Sequence, residues 1–103
     1  MKQPEGKYEP TLVYTSFIKA VARVRRFGIN KHGDSEDWRT TPEIAHYDAM
    51  LRHIYEALDG RALDDESKQL HLSHAACNIM FEIERLERHK HRVVRRTAHR
   101  GKI

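Results

Sequence analysis

The sequence has little cysteine: Cys77 is the only one in 103 residues. An intramolecular disulfide is therefore excluded, which fits a reducing compartment. No stretch approaches the ~20 apolar residues that a membrane-spanning helix needs, so no membrane partner is expected. The opening MKQPEGKYEP is too polar to read as a secretory signal. No segment alternates with period two for long enough to make a strand. A Walker loop, a Rossmann glycine pattern and an adjacent His-Asp pair are all missing, as is any Ser-His-Asp or Cys-His arrangement. Cys77 reads as a small packing residue.

The charge is unevenly spread. Residues 85–103 hold eight Lys/Arg against one acid, Glu87, whereas residues 1–84 hold eleven Lys/Arg against fourteen acids. The sequence pI of 9.4 thus belongs to the C-terminus. Such a tail has the charge to bind nucleic acid or another polyanion, and equally that of a solvated helix end. No aromatic residues are interleaved with its charges as a stacking groove would have them. Three of the eight histidines (His89, His91 and His99) lie in it.

The rest reads as an all-α bundle of three main helices spanning 15–87, between an N-terminal arm (1–14) and the basic tail (88–103). The first helix is expected from Thr15 or Ser16 to a stop at Gly28, with Phe17, Val21, Val24 and Phe27 on its core face. The second opens at Thr40-Thr41-Pro42-Glu43, a cap followed by a first-turn proline and a Glu. Ile44, Tyr47, Leu51, Ile54, Tyr55 and Leu58 form its expected core stripe, and Gly60 ends it. A second, semi-apolar face (His46, Met50, His53 and Ala57) suggests packing on both sides, with another subunit as one partner. The third helix is expected from about Ser67 into the late eighties. Leu72, Ala76, Ile79, Ile83 and Leu86 would make its core face.

A different face of the third helix carries the chemistry. His71, His74, Asn78 and Glu82 line up there, with Phe81 beside them. Two imidazoles, an amide and a carboxylate can bind a metal, hold a phosphate or move a proton. His71 and His74 are half a metal site, and a pair of neutral histidines in a wet groove has the same spacing. A zinc site needs a third protein ligand, for which Asp48, Asp64 and Glu82 are candidates. Oxygen-rich ligation suits Mg²⁺ or Mn²⁺ better than Zn²⁺. Arg52, Lys31 and Arg39 are the cations beside these acids. A divalent ion between carboxylates and a polyphosphate would fit phosphate chemistry, with a histidine as general base. Asp48 and Arg52, four apart, can also be a simple helical ion pair. Trp38, the sole tryptophan, either caps the core or offers a flat surface to a base.

The segments AVARVRRFGINKHG (20–33), DWR (37–39), HYDAMLRHIYEALDG (46–60) and LDDESKQLHLSHAACN (63–78) resemble, in order and spacing, the phage and prophage family of dATP/dGTP diphosphohydrolase N-terminal domains. The resemblance touches Lys31, Trp38, Arg39, Asp48, Arg52, His53, Asp64, Ser67, His71, His74 and Asn78. Where the family usually has Ser-Gly, this chain has Ser67-Lys68. The Glu-x-x-Glu ligand set of the all-α pyrophosphohydrolases is not intact here.

What the resemblance implies is a cytoplasmic, phage- or prophage-encoded homo-oligomer. It would split a purine deoxynucleoside triphosphate into monophosphate and pyrophosphate with Mg²⁺ or Mn²⁺. On this reading Asp48, His71 and His74 are catalytic. Asp48, Asp64, Glu82, His71 and His74 are the metal ligands. Lys31, Trp38, Arg39, Arg52 and Asn78 bind the substrate. The alternative is a non-catalytic module that binds a nucleotide or nucleic acid.

Overall fold

The computed structural model describes residues 6–89. Among these, α1 (Thr15–His32), α2 (Glu43–Leu58) and α3 (His71–Arg88) are the only long elements. Short 3₁₀ turns at Pro10–Leu12 and Asp37–Thr40 precede α1 and α2. No strand forms among the described residues, apart from one isolated bridge between Leu63 and Leu70. The architecture is the expected all-α one. No helix among the described residues is long and apolar enough to cross a membrane. The tail from residue 90 onward, on which the nucleic-acid expectation rests, lies outside the described residues, as do residues 1–5.

The helix ends depart from expectation in instructive ways. α1 does not stop at Gly28 but runs on to His32. A mid-helix glycine costs only about 1 kcal/mol, while Gly33 sits at φ +79° and closes the helix with its N–H on the Ile29 carbonyl at 2.6 Å. α2 begins at Glu43 without a threonine cap: the Thr40 hydroxyl donates instead to the Asp37 carbonyl within the preceding turn. α3 begins four residues later than Ser67. Residues 63–70 are tied into a compact loop, with the Asp64 carbonyl accepting from Lys68 N–H and the Gln69 carbonyl accepting from Asp64 N–H, both at 2.8 Å. Lys68 holds φ +62° there, a left-handed conformation that costs a non-glycine residue roughly 1–2 kcal/mol.

α3 is the middle helix. His46 of α2 meets Glu82, and His53 meets His71; Arg25 of α1 meets Phe81, and Phe27 meets His74. Both neighbours therefore run antiparallel to α3. The apolar core is thin. Val21 and Val24 of α1 pack on Cys77, with Ala76 and Phe81 partly buried against them, and among the described residues no large side chain is fully buried.

The expected core faces of α2 and α3 are largely inverted, whereas on α1 Val21 and Val24 are buried as expected and Phe17 is exposed. Leu72, Ile79, Ile83 and Leu86 of α3 are exposed, as are Ile44, Tyr47, Leu51, Tyr55 and Leu58 of α2. Polar residues take much of the inside instead: His46, His71, Ser73 and Glu82 are buried, beside Ala75 and Cys77. α2 meets α3 through its semi-apolar face, and α3 answers with its line of histidines and carboxylate. Burying such groups is tolerated only when each finds a partner. Among the described residues no buried side-chain polar atom lacks one.

Candidate functional site

A cleft of about 380 Å³ opens between α1, the 3₁₀ turn before α2, and the α2–α3 pair. That volume lies within the range of small-molecule sites, ~300–1,000 Å³. Lys31 and Glu66 stand at one side, Trp38 and Phe81 at another, and His53, Asp64, His74 and Asn78 converge on it.

The convergent end is built from three segments. α3 contributes His71 and His74, one turn apart. α2 contributes His53, whose Nδ1 lies 2.9 Å from the Nδ1 of His71 and whose ring stacks on that of His74 at 4.5 Å. The tied loop contributes Asp64 and Ser67. One oxygen of Asp64 accepts from Ser67 N–H at 2.8 Å and lies 3.7 Å from His74 Nε2. The Ser67 hydroxyl lies 2.6 Å from the same nitrogen. One ligand atom each of His53, Asp64 and His71 falls within 4.8 Å of the others. Two imidazole nitrogens and a carboxylate oxygen are a donor set that first-row transition ions accept. The residues present thus fit a divalent metal.

The protonation states favour ligation. Burial pushes His53 below its ordinary value, and the neighbouring His74 and His71 add to this. His74 is lowered by burial too, against the pull of Asp64 and with help from His71. Burial would raise the Asp64 carboxyl, but hydrogen bonds from Ser67 outweigh it and the net shift is downward. At neutral pH the lowered values leave His53 and His74 uncharged and Asp64 a carboxylate, the ligating forms.

The same shifts fix the pH response. A histidine lowered in the folded state contributes its full stability above 6.5, and loses it as pH falls through the lowered value. Asp64 acts in the same sense below 3.8. The protein should thus melt at a lower temperature at pH 5 than at pH 7.5, and metal affinity should drop over the same interval. Thermal melts with and without metal at the two values check this, and an equal or higher melting temperature at pH 5 contradicts it.

The remaining candidates are scattered. Lys31 lines the cleft and pairs with Glu66 at 2.9 Å, both exposed. Asn78 lines it while its amide donates to the His74 carbonyl. Trp38 lines it with one face stacked on Phe81 at 4.8 Å, and the Arg39 guanidinium lies 4.7 Å from the indole centre. Trp38 thus caps the core, and only the rest of the ring faces the cleft. Arg39 is held by Glu36 and does not line the cleft.

Asp48 and Arg52 are exposed and outside both the cleft and the cluster. Their helical positions point away from α3, because α2 uses the His46–His53 face for that contact. Glu82 also stays outside the cluster, since His46 Nδ1 and Arg85 bind it in a buried network. Burial lifts the Cys77 thiol to about 11, so no thiolate is available at neutral pH.

His53 and Ser67 gained no role from the sequence, although the resemblance touched both. The available signal was the spacing of His46 and His53, two turns apart on the second face of α2. That face meets α3, so His53 meets His71 there and His46 meets Glu82.

The chain matches, over residues 1–95, the family described as dATP/dGTP diphosphohydrolase, N-terminal. It is similar to the dATP/dGTP diphosphohydrolase of Salmonella phage PMBT28, with 33% identity over 81 residues. That alignment takes in 79% of this chain and 28% of the relative, so the chain spans little more than a quarter of the relative's length. No solved structure matches it.

Proposed function

Because the chain belongs to the dATP/dGTP diphosphohydrolase N-terminal family, we propose that its cleft hydrolyses purine deoxynucleoside triphosphates with a divalent ion. The observation that carries this reading is the convergence of His53, Asp64 and His71, from three separate segments, beside a cleft of nucleotide-compatible size. These three residues would hold the ion. When bound, such an ion neutralises phosphate charge and makes the phosphorus more open to attack by water.

The chain's own residues do the rest. His74, uncharged at neutral pH, is placed to accept a proton from the attacking water, and Ser67 and Asp64 fix its Nε2 side. The water oxygen bonds to the α-phosphorus, and the bond from that phosphorus to the bridging oxygen breaks. Monophosphate and pyrophosphate leave. Lys31 is placed to hold the released phosphates. Its present pairing with Glu66 is solvent-exposed, worth ~0–1 kcal/mol, so a polyphosphate competes for it easily. Trp38 borders the base, and Asn78 steadies the α3 turn that presents His74. Two nitrogen donors favour Mn²⁺ or another first-row ion over Mg²⁺, which prefers an all-oxygen shell. Asp48, Arg39, Arg52 and Glu82 have no part in this reading, because the fold turns them away from the cleft or occupies them elsewhere.

A nucleotide panel tests the proposal. The protein is incubated with each ribo- and deoxynucleoside triphosphate and Mg²⁺, Mn²⁺ or Zn²⁺, and the products are separated by chromatography. Monophosphate plus pyrophosphate from dATP or dGTP is the expected result. Intact nucleotide from folded, metal-loaded protein would overturn it.

A further inference from the structure

We infer that the side of the α2–α3 pair facing away from the cleft is the contact surface for a second copy of this chain. On α2, Ile44, Tyr47, Leu51, Tyr55 and Leu58 fall within an arc of about 80° at ~100° per residue. On α3, Leu72, Ile79, Ile83 and Leu86 fall within about 60°. Neither arc contains a charged residue, and all nine side chains are exposed, from 37% for Tyr47 to 76% for Leu58.

The two arcs share one side of the pair. From the residues that face α3, the α2 stripe lies forward around the helix, while the cleft-lining Ala45 and Ala49 lie backward. On α3 the stripe again lies forward of His71 and Glu82, while Asn78 and Phe81 of the cleft lie backward. In antiparallel neighbours equal senses of rotation point to the same side. Both stripes therefore lie on the same side of the pair, the α2 stripe turned further outward, and the cleft occupies the other side.

The size of this face argues for a stable partner. Nine side chains about half exposed, at ~150 Å² for a large side chain, present about 700 Å². The largest apolar patch of an ordinary monomer is ~300–600 Å², and a standard interface buries ~800 Å² on each partner. Its chemistry argues for an apolar occupant, because a charge-free surface has nothing to pair with a charged one. The basic C-terminal segment, with eight cations in residues 85–103, is a poor match. A second copy of the same face is a good one, joined through a twofold axis that sets each stripe on its equal. The pairing would also supply what the thin core lacks, since a chain this small buries only ~60–65% of its surface alone. Both clefts would remain open on the outer sides.

Sedimentation of the full 103-residue chain tests the inference, whether or not the cleft is catalytic. The expected mass at ~100 μM, where even a micromolar dimer is saturated, is twice the 12.2 kDa of one chain. A single-chain mass there overturns it, and is also the result if another segment of the same chain covers the face. Ile83→Glu should yield a folded monomer, and a folded variant that stays dimeric assigns the contact elsewhere and overturns the proposal. Should that variant fail to fold, Leu51→Cys and Ile83→Cys are treated with a short bismaleimide. Cys77 is buried and adds no background. A covalent dimer from either supports the face, and none from both rejects it.

Discussion

Asp64→Asn is expected to weaken divalent-ion binding by about 100-fold or more and to abolish nucleotide turnover, while the helices stay intact. Removing even an outer partner of a ligand costs ~10–100-fold in affinity, and Asp64 is the only carboxylate in the cluster. Asparagine keeps an oxygen to accept from Ser67 N–H, the bond that ties the loop at 2.8 Å, so the change removes charge and spares the local backbone. Titration calorimetry with Mn²⁺ reads the affinity, circular dichroism reads the fold, and product chromatography reads turnover. An asparagine variant that binds Mn²⁺ as tightly as the parent would place the ion elsewhere. As a contrast, Asp48→Asn should bind Mn²⁺ like the parent, since Asp48 is exposed on α2 and outside the cluster.

The second large effect concerns stability. Glu82→Ala is expected to cost about 3–5 kcal/mol, the usual penalty for breaking a buried charged pair from one side. Glu82 is 4% exposed and His46 5% exposed. The carboxylate binds His46 Nδ1 and accepts from Arg85 at 3.0 Å, while Arg85 also donates to the Thr41 carbonyl at 3.3 Å. One acid thus joins α2, α3 and the turn before α2. Without it, an imidazole and a guanidinium lose their shared partner inside a core with little apolar area to compensate. Urea unfolding measures the loss. The neighbouring Glu84→Ala breaks only an exposed pair with Arg88 and should change stability by no more than about 0.5 kcal/mol. Similar midpoints for the two variants would show that the buried network does not support the fold.

The three helices were legible because their amphipathic period and punctuation are local properties of the chain. Gly60, at positive φ, follows the end of α2 as expected, and α2 opens within its Thr-Thr-Pro-Glu stretch, at Glu43 and without the threonine cap, whereas α1 runs past Gly28 to Gly33. The shared face of His71 and His74 was legible for the same reason: i, i+3 spacing places both rings on one side of the helix whatever surrounds them. The faces were misjudged because periodicity locates an apolar stripe without naming what covers it. In a chain of this length the expectation that apolar means inside presumes a single-chain core. Here the stripe of Leu72, Ile79, Ile83 and Leu86 faces out, and a satisfied polar network shares the inside with Val21, Val24, Ala75 and Cys77.

By itself, then, the sequence determined the all-helical class, the family and the histidine turn on α3, since each rests on residues near one another in the chain or on a pattern spread along it. Only the tertiary structure decided the partners of that turn. The antiparallel packing of α2 on α3 brought His53 to His71, and the tied loop set Asp64 and Ser67 beside His74. The same packing moved Asp48 and Arg52 outward and enclosed Glu82 with His46. A ligand set is a set of distances between segments. Those distances follow from which helix faces meet, and spacing within one helix does not fix that.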